Sequence, residues 1–245
     1  MRLQFIGSGD AFGSGGRFNT CFHVTGDKVS FLIDCGASSL IGLKTNEISL
    51  NGIKTIFVTH FHADHFGGIP FFMLDAQFFS KRSEPLTIAG PKGLVEWHER
   101  VMETSFPGSS KTKPKFELSL IELEPRVTMI VDDIAVRPFC VKHGKPRGSY
   151  FAYRFEAENR SIAYTGDTEW TDELIEAGAG ADLFIAEAYF YNKKVKFHLD
   201  LTSLKNGLQR LQPKRLVLTH MSEDMLNRLE SVGFETAEDG KTIEL

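Results

Sequence analysis

The chain has 245 residues, 42% of them hydrophobic, with a formal net charge of −4 and a pI near 6.1. This length and apolar content are enough for a full hydrophobic core, and we expect a single mixed α/β domain over residues 1–245. The negative net charge excludes a global basic field that would hold a polyanion without sequence preference. Binding of nucleic acid would therefore need a local basic patch.

The first residues, MRLQFIG, lack the separate charged region, apolar segment and cleavage site of a secretory signal, and no apolar run is long enough to span a bilayer. The three cysteines, Cys21, Cys35 and Cys140, are an odd number without a CxxC pair, which argues against a disulfide framework. We interpret them as small buried hydrophobic residues. These features predict a cytoplasmic protein without a membrane partner.

The N-terminal segment reads as strands joined by glycine-rich turns. Residues 3–6 are a predicted strand that leads into a glycine-rich loop at 7–16. This loop could cradle a phosphate or be a plain strand connection, since the lysine and hydroxyl of a P-loop are missing. Two strands joined at Gly26-Asp27 form a predicted hairpin. Asp34 ends the second of them, where it could hydrogen-bond a ligand imidazole or cap a turn.

The stretch from Thr59 to Gly68, which follows an apolar run, contains three histidines and one aspartate. His60 and His62 are two residues apart, Asp64 and His65 are adjacent, and two glycines then let the backbone turn sharply. Neutral imidazole nitrogen and carboxylate oxygen suit zinc and similar divalent ions, and the end of a rigid strand can aim several such ligands at one point. We therefore predict a metal site here.

The next predicted helix, residues 69–79, is dense in phenylalanine. We interpret Phe71, Phe72, Phe78 and Phe79 as core packing, because an aromatic face at helical spacing has to be buried somewhere. The helix could also pack against a second subunit, because periodicity does not distinguish a face in the core from a face at a subunit interface.

Two further histidines are interpreted as structural. His98 lies between acidic residues on a predicted solvated helix face, and His23 lies inside an early strand. Residues 106–115 are polar, with three lysines, and we interpret them as a solvated connection; a lid or a local anion patch is the alternative.

The second half of the chain places polar residues at the ends of predicted strands. Residues 116–153 suggest a meander of strands, with His143 after the last of its early strands. Three later apolar strands precede polar residues: 161–164 before Asp167, 183–186 before Glu187 and 216–218 before His220. This arrangement fits the rule that open α/β sheets place their chemistry beyond the strand ends.

The order of histidines and aspartates resembles that of the metallo-β-lactamase-fold hydrolases, from the first strand almost to the C-terminus. The residues that carry the resemblance are His60, His62, Asp64, His65, His143, Asp167 and His220. The resemblance implies a four-layer αββα sandwich with the site at one edge of its two sheets. It also implies one metal on His60, His62 and His143, a second on Asp64, His65 and His220, and Asp167 as the bridge. Two divalent ions are expected, with zinc favoured, although these ligands also accept manganese and iron.

Within that superfamily, several stretches resemble the ribonuclease Z-like branch. They are FLIDCG at 31–36, LTIAGPKG at 86–93, TGDT at 165–168 and LTHMS at 218–222. Glu187-Ala188 is similar to the branch's His-Glu-Ala-Thr motif, with Ala186 and Tyr189 replacing the outer residues. His198 falls where the branch keeps a His-Ser-Thr motif, with only the histidine retained. The resemblance implies that Glu187 orients His198, which contacts the scissile phosphate; the alternative is a surface histidine.

One departure from that branch bears on the substrate. Ribonuclease Z proteins that trim transfer RNA carry a long exosite arm between the strand after the middle ligand histidine and the strand leading to the bridging aspartate. Here that interval is only Tyr153 to Ser161, a tight turn. Without an arm, and with net negative charge, transfer RNA has little to grip. We therefore expect a small phosphodiester, such as a cyclic nucleotide or a related metabolite, and no stable nucleic-acid partner.

The resemblance also implies a mechanism. Two divalent ions can lower the pKa of a bridging water from 15.7 to about 7, so that hydroxide attacks phosphorus in line. Asp64 would steady or deprotonate this nucleophile, while His198 would offset charge on the departing oxygen.

Other functions stay open. They are hydrolysis of a thioester or lactam, transfer RNA 3′ processing, and metal-stabilised binding without catalysis. A redox di-iron role is disfavoured, because the related flavodiiron proteins carry glutamate where His62 stands. Members of the superfamily are often dimers, and the phenylalanine-rich helix could supply the interface of a homodimer.

Overall fold

The computed structural model describes residues 1–145 and 149–245, whose strands form two seven-stranded sheets. The first sheet has the order β14-β1-β2-β3-β4-β5-β6 and the second the order β13-β12-β11-β10-β9-β8-β7. The strands of the first are β1 (Arg2–Gly7), β2 (Cys21–Thr25), β3 (Ser30–Ile33), β4 (Thr55–Phe57), β5 (Leu86–Gly90), β6 (Leu118–Glu122) and β14 (Thr242–Glu244). Those of the second are β7 (Met129–Val131), β8 (Ile134–Cys140), β9 (Phe151–Ala157), β10 (Arg160–Tyr164), β11 (Leu183–Glu187), β12 (Leu216–Thr219) and β13 (Glu235–Thr236).

Helices cover the outer faces of both sheets. They are α1 (Ser39–Thr45), α2 (Ala63–Phe66), α3 (Ile69–Phe78), α4 (Leu94–Ser105), α5 (Glu173–Gly178), α6 (Leu201–Leu211), α7 (Glu223–Leu226) and α8 (Leu229–Val232). Leu43, Phe72 and Met102 bury α1, α3 and α4 against the first sheet, and Leu174 and Leu204 bury α5 and α6 against the second. The predicted four-layer αββα sandwich is thus confirmed. None of the helices in residues 1–145 and 149–245 is long and apolar enough to cross a membrane.

The core between the two sheets is aromatic. Phe57 of β4 lies with its ring centroid 5.6 Å from that of Phe31 and 5.0 Å from that of Phe155 on the facing sheet. Phe22 meets Tyr164 edge-to-face at 5.0 Å. Each of these rings is at most 1% exposed, so the pairs add directional contacts to a large apolar burial. They fix β4 against the second sheet, and with it the strand end from which the histidine cluster emerges.

Several sequence predictions of local structure need correction. The hairpin at Gly26-Asp27 is confirmed by the antiparallel pairing of β2 with β3. The meander predicted over 116–153 is wrong at its start, because β6 pairs in parallel with β5 in the first sheet; residues 146–148 of that prediction lie outside the described residues. Near the C-terminus lie two short helices, α7 and α8, separated by Asn227-Arg228. The sequence pattern of a strand does not indicate which strand lies beside it, which explains the error at the start of the meander.

The prediction that the phenylalanines of α3 all pack in the core is also wrong. Phe72 is 1% exposed, but Phe71, Phe78 and Phe79 are 44%, 59% and 77% exposed. The helix carries apolar residues all round its circumference, and only one side of it can reach the sheet. The homodimer that this helix could support stays a prediction.

The expectations for the cysteines and the structural histidines hold in part. Cys21 and Cys35 are fully buried, whereas Cys140 is partly exposed. His23 is buried, with Nε2 3.2 Å from the hydroxyl of Ser30. His98 is half-buried, which corrects the predicted solvated face, and its burial lowers the pKa of the ring.

The turn between β9 and β10 ties the two sheets together. Glu158 and Asn159 both have positive φ angles, of 51° and 59°, as a two-residue hairpin turn requires. The carboxylate of Glu158 reaches across to the β2–β3 turn of the first sheet and accepts the backbone N–H of Lys28 at 2.7 Å. A Cβ atom at Gly26 would lie 2.2 Å from this carboxylate, so the contact needs glycine there. The interval where the ribonuclease Z arm would stand is thus a tight and anchored turn.

Arg82 joins the end of α3 to the start of β4. Its side chain is buried, and burial lowers the pKa of the guanidinium. The guanidinium donates to the carbonyls of Leu50 at 3.0 Å, Ile53 at 2.6 Å, Glu84 at 2.8 Å and Pro85 at 2.6 Å. These bonds hold both ends of the segment that carries the histidine cluster.

Replacing Arg82 with methionine should lower the free energy of unfolding by about 3 kcal/mol, because several buried carbonyls lose their donor and each loss costs about 1–3 kcal/mol before relaxation. Urea unfolding of the metal-free chain measures the change. Arg100→Met, at a side chain that is 63% exposed and whose pairing with Glu96 lies on the surface, serves as the control and should change stability by less than about 0.5 kcal/mol. Equal effects of the two substitutions would contradict the anchoring role of Arg82.

Candidate metal centre

The polar side chains predicted at strand ends meet at one edge of the sandwich. In the first sheet β3 and β4 are parallel, and they end just before Asp34 and His60. In the second sheet β10, β11 and β12 are parallel, and they lead to Asp167, Glu187 and His220. Parallel strands bring their carboxyl ends to the same edge, which explains why residues far apart in sequence come together here.

Left-handed backbone conformations occur at three of these strand ends. Asp34, Gly166 and His220 have φ angles of 60°, 57° and 55°. Aspartate and histidine tolerate this region better than most residues, whereas a Cβ atom at Gly166 would lie 2.5 Å from the carbonyl oxygen of Phe151. Sparsely populated conformations of this kind cluster where a site imposes them. Each one turns the chain sharply, so that the next polar group faces the site.

His60, His62 and His143 form the first group of candidate ligands, with ring nitrogens close enough to hold one metal ion. Nδ1 of His62 lies 3.0 Å from Nε2 of His60 and 3.0 Å from Nε2 of His143. His60 and His143 are buried, and His62 is exposed at the mouth of the site. Three imidazole nitrogens therefore face one point.

Asp64, His65, Asp167 and His220 form the second group, and all four are buried. Nε2 of His65 lies 3.3 Å from Asp64 and 3.2 Å from Oδ1 of Asp167, and Nε2 of His220 lies 3.3 Å from Asp64. The second oxygen of Asp167 lies 3.4 Å from His220 and 3.7 Å from Nε2 of His143 in the first group. Asp167 therefore lies between the two groups.

Hydrogen bonds on the far side of the rings select the nitrogen that faces the site. Nδ1 of His143 donates to the carbonyl of Phe197 at 2.8 Å, and Nδ1 of His65 lies 2.7 Å from Asp34. Nδ1 of His60 lies 3.1 Å from the hydroxyl of Thr59, which itself lies within 3.0 Å of Asp34. Each bond favours a proton on Nδ1, so that Nε2 faces the site and would carry the lone pair of the neutral ring, as metal-binding histidines require.

The charges and unpaired atoms of these groups fit divalent cations. Nε2 of His65 and Oδ1 of Asp167 are buried and, although they lie 3.2 Å apart, they are not aligned as a hydrogen bond, and neither has another partner among the described residues. Burial opposes protonation of His65 and His220, yet Asp167 and the neighbouring carboxylates raise the pKa of both rings, to about 9 for His220. Burial lowers the pKa of His60, and that of His143 to about 4, so these imidazoles are neutral. The second group thus attracts positive charge, while the first presents the neutral form of histidine that binds metal.

Beside the two groups, His198 hydrogen-bonds through Nδ1 to the fully buried carboxylate of Glu187. The other oxygen of Glu187 accepts the backbone N–H groups of Thr168 at 2.8 Å and Leu199 at 3.2 Å, so the carboxylate is held in place. The ring of Tyr189 stacks on His198 with centroids 4.5 Å apart. Burial lowers the pKa of His198, but the bond to Glu187 outweighs it and raises the pKa overall. A third group also lies close enough to hold an ion, and it consists of Asp167, Glu187, His198 and His220. The competing interpretation of His198 is therefore that of a metal ligand.

The glycine-rich loop at 7–16 takes no position like that of a phosphate cradle. Its N–H groups are used within the chain, since Asp10 accepts from Phe12 and Ser14, and Asp239 accepts from Ser8. The carbonyl of Ser8 accepts the N–H of His220 at 3.1 Å. The loop supports the site as a plain strand connection.

Sequence reasoning did not find the parts of the site that act through the backbone. It left Thr59 without a role, and it did not point to Phe197, whose carbonyl orients His143. Backbone contacts have no signature in residue type, so no sequence signal identifies Phe197. Tyr189 was recognisable as a departure from the ribonuclease Z motif, but its stacking on His198 was not.

Comparison with known proteins places this geometry in a family. The family model described as the anti-Pycsar protein Apyc1 matches residues 1–241. The chain belongs to the Apyc1 family. This match spans every strand except β14 and all the site residues described above.

Members of other groups are similar to this Apyc1-family chain over most of their length. The ribonuclease Z of Geobacillus kaustophilus is 25% identical, over 91% of this chain and 88% of the relative. The crystal structure of the short form of human tRNase Z is 26% identical, with a TM-score of 0.80, and the match covers 100% of this chain and 99% of that one. A diphosphatase of the PhnP family, 22% identical with a TM-score of 0.77, covers 100% of this chain and 97% of its own and shares the fold. The chain is a metal-dependent hydrolase of the metallo-β-lactamase fold with ribonuclease Z-like relatives.

Proposed function

We propose that the protein hydrolyses a small phosphodiester, such as a cyclic nucleotide or a related metabolite, with the help of two divalent ions, zinc being favoured. The observation that carries the proposal is the bond between His198 and the buried Glu187 beside the two ligand groups. His60, His62 and His143 would bind one ion, and Asp64, His65 and His220 the other. Asp167 would bridge the two.

Each residue has its own part in the proposed reaction. When bound, the two ions would supply Lewis acidity, activating a water and holding a phosphoryl oxygen. Asp64 would orient the attacking water or take up its proton. His198, held by Glu187 and stacked on Tyr189, would donate a proton or hydrogen bond to the departing oxygen. Asp34 and Thr59 would keep the ligand rings of His65 and His60 in the required tautomer.

The pair formed by His198 and Glu187 favours phosphorus over carbonyl carbon as the centre attacked. A phosphodiester releases an alkoxide, which is a strong base and gains from a proton donor in the transition state. A thioester releases a thiolate, which is stable near neutral pH and gains little from such a donor. The bond to Glu187 raises the pKa of His198, which favours the protonated form that donation needs.

Processing of transfer RNA is a second candidate, favoured by the names and the 25–26% identity of the ribonuclease Z and tRNase Z relatives. The β9–β10 turn speaks against it. Glu158 anchors this turn to the neighbouring sheet, and the two-residue hairpin replaces the arm that grips transfer RNA. The net charge of −4 adds no general attraction for a polyanion.

Metal analysis coupled to a substrate panel tests the proposal. The panel contains a chromogenic phosphodiester, cyclic mononucleotides of all four bases, a transfer RNA precursor, an acyl-glutathione thioester and a chromogenic lactam. We expect two metal ions per chain, turnover of the chromogenic diester and of at least one cyclic nucleotide, and loss of both on chelation. Turnover of the thioester or lactam alone, or of the transfer RNA precursor alone, would overturn the assignment to small phosphodiesters.

A further inference from the structure

Phe197 is held in a backbone conformation that its side chain does not favour. Its φ angle is +73°, in the left-handed region, where a bulky residue other than glycine is an outlier. Asp34 and His220 share this region, but aspartate and histidine enter it more readily. A conformation of this kind costs about 1–3 kcal/mol and persists only where surrounding contacts impose it.

The ring of Phe197 does not account for the conformation. It is 42% exposed, and its centroid lies 6.4 Å from that of His143. The two backbone groups of the residue, in contrast, both make well-placed hydrogen bonds. The carbonyl accepts Nδ1–H of His143 at 2.8 Å, and the N–H donates to the carboxylate of Glu169 at 2.9 Å.

Glu169 connects this turn to the rest of the site. It lies two residues after Asp167, and its own N–H donates to the carbonyl of Lys142 at 3.0 Å. The N–H of Lys142 in turn donates to the hydroxyl of Thr168 at 3.0 Å. The loop after the bridging aspartate thus holds the backbone next to His143 through Lys142, and the backbone next to His198 through Phe197.

We propose that the left-handed Phe197, fixed by Glu169, is a positioning residue that sets His143 and His198 together: its carbonyl orients the ligand ring and its backbone turn delivers the next side chain to Glu187. One conformational choice at a single residue therefore couples a candidate ligand of the first metal to the candidate proton donor. Loss of the turn should weaken metal binding and turnover together, whereas loss of the His198 ring alone should affect turnover only.

Two substitutions that both remove the ring separate backbone from side chain. Phe197→Asn keeps a residue that tolerates positive φ, and Phe197→Val introduces a β-branched residue that resists it. We expect the valine variant to bind Zn²⁺ about 10–100-fold more weakly than the asparagine variant, as is typical when a partner of a ligand histidine is lost. Competition with a chromogenic chelator on the purified full chain measures this affinity without substrate. Equal zinc affinities for the two variants would overturn the proposal.

A second matched pair keeps the test decisive if the valine variant does not fold. Glu169→Gln retains an amide oxygen that can accept the N–H of Phe197, and Glu169→Leu does not. The leucine variant should lose zinc affinity and the glutamine variant should retain it, with thermal unfolding of the metal-free chains reporting that both are folded. Loss of affinity in neither variant would contradict the role of Glu169.

The part assigned to His198 rests on the proposed function, but the zinc measurements do not. If the wild-type chain hydrolyses no phosphodiester while the valine and leucine variants still lose zinc, the proposed function fails and the positioning role stands. If the wild-type chain is active and the matched variants bind zinc alike, the positioning role fails and the proposed function stands.

Discussion

Replacing His198 with alanine should lower kcat on a cyclic nucleotide, whose leaving group is an alkoxide, by about 10²- to 10⁴-fold, the range expected when a general acid is lost. The metal content of the purified variant should equal that of the wild type, because both ligand groups are complete without His198. The ring hydrogen-bonds to Glu187 rather than closing either group, and its side chain is 23% exposed, so its removal opens no large buried cavity. Steady-state kinetics together with elemental analysis measure the two quantities.

His98→Ala is the matched control for this substitution. His98 is a half-buried histidine on α4, outside the residue groups that converge on the site, and its loss should change kcat little. Two outcomes of the His198→Ala experiment would contradict the assigned role. Turnover at the wild-type rate would show that His198 takes no part in the reaction. Loss of one metal ion would show that His198 is a ligand in the group with Asp167, Glu187 and His220.

Replacing Asp167 with alanine should lower metal affinity by more than about 100-fold, the upper end of the cost of losing an outer-shell partner. Asp167 lies 3.2 Å from His65, 3.4 Å from His220 and 3.7 Å from His143, so its loss removes a carboxylate from both groups at once. It also removes the negative charge that most strongly favours a cation near His65. Elemental analysis after gel filtration measures the bound metal, and thermal unfolding checks that the chain is folded.

The comparison variant is Asp172→Ala, which removes a carboxylate that is 73% exposed and pairs with Arg210 on the surface. It should keep the full metal content and turnover. If Asp167→Ala retained two ions per chain, the bridging role would be wrong, and the two groups would have to bind their ions independently.

The sequence predicted polar residues at the ends of clearly apolar strands, and the resemblance to the metallo-β-lactamase-fold hydrolases implied which of them would be ligands. His60, His62 and Asp64 lie within five residues, and Asp167 and His220 each follow a buried strand. Parallel pairing, which the structure shows, brings these strand ends to one edge. The structure brings these residues together, and their roles as ligands stay proposals.

The features that the sequence did not predict depend on how helices, strands and backbone groups are oriented rather than on residue type. Phe71 and Phe78 were expected inside, but α3 is apolar on every side and its orientation is set by tertiary packing. The pairing of β6 with β5 in the first sheet was not predicted, because a strand pattern does not indicate which strand lies beside it. The contact from Phe197 to His143 runs through a carbonyl oxygen that every residue possesses. Such features follow from three-dimensional geometry and have no compositional trace.

The anchored turn between β9 and β10 also bears on how this chain is related by descent to ribonuclease Z proteins that carry the exosite arm. Surface turns are usually the positions at which insertions are tolerated, because few contacts hold them. Here the carboxylate of the turn residue Glu158 accepts a hydrogen bond from the backbone of Lys28 on the other sheet, and Gly26 leaves space for this carboxylate. An insertion at this point would break a tie between sheets as well as lengthen a loop. Gain or loss of the arm in this lineage should therefore be accompanied by changes in the β2–β3 turn on the opposite sheet, and these two turns should vary as a pair.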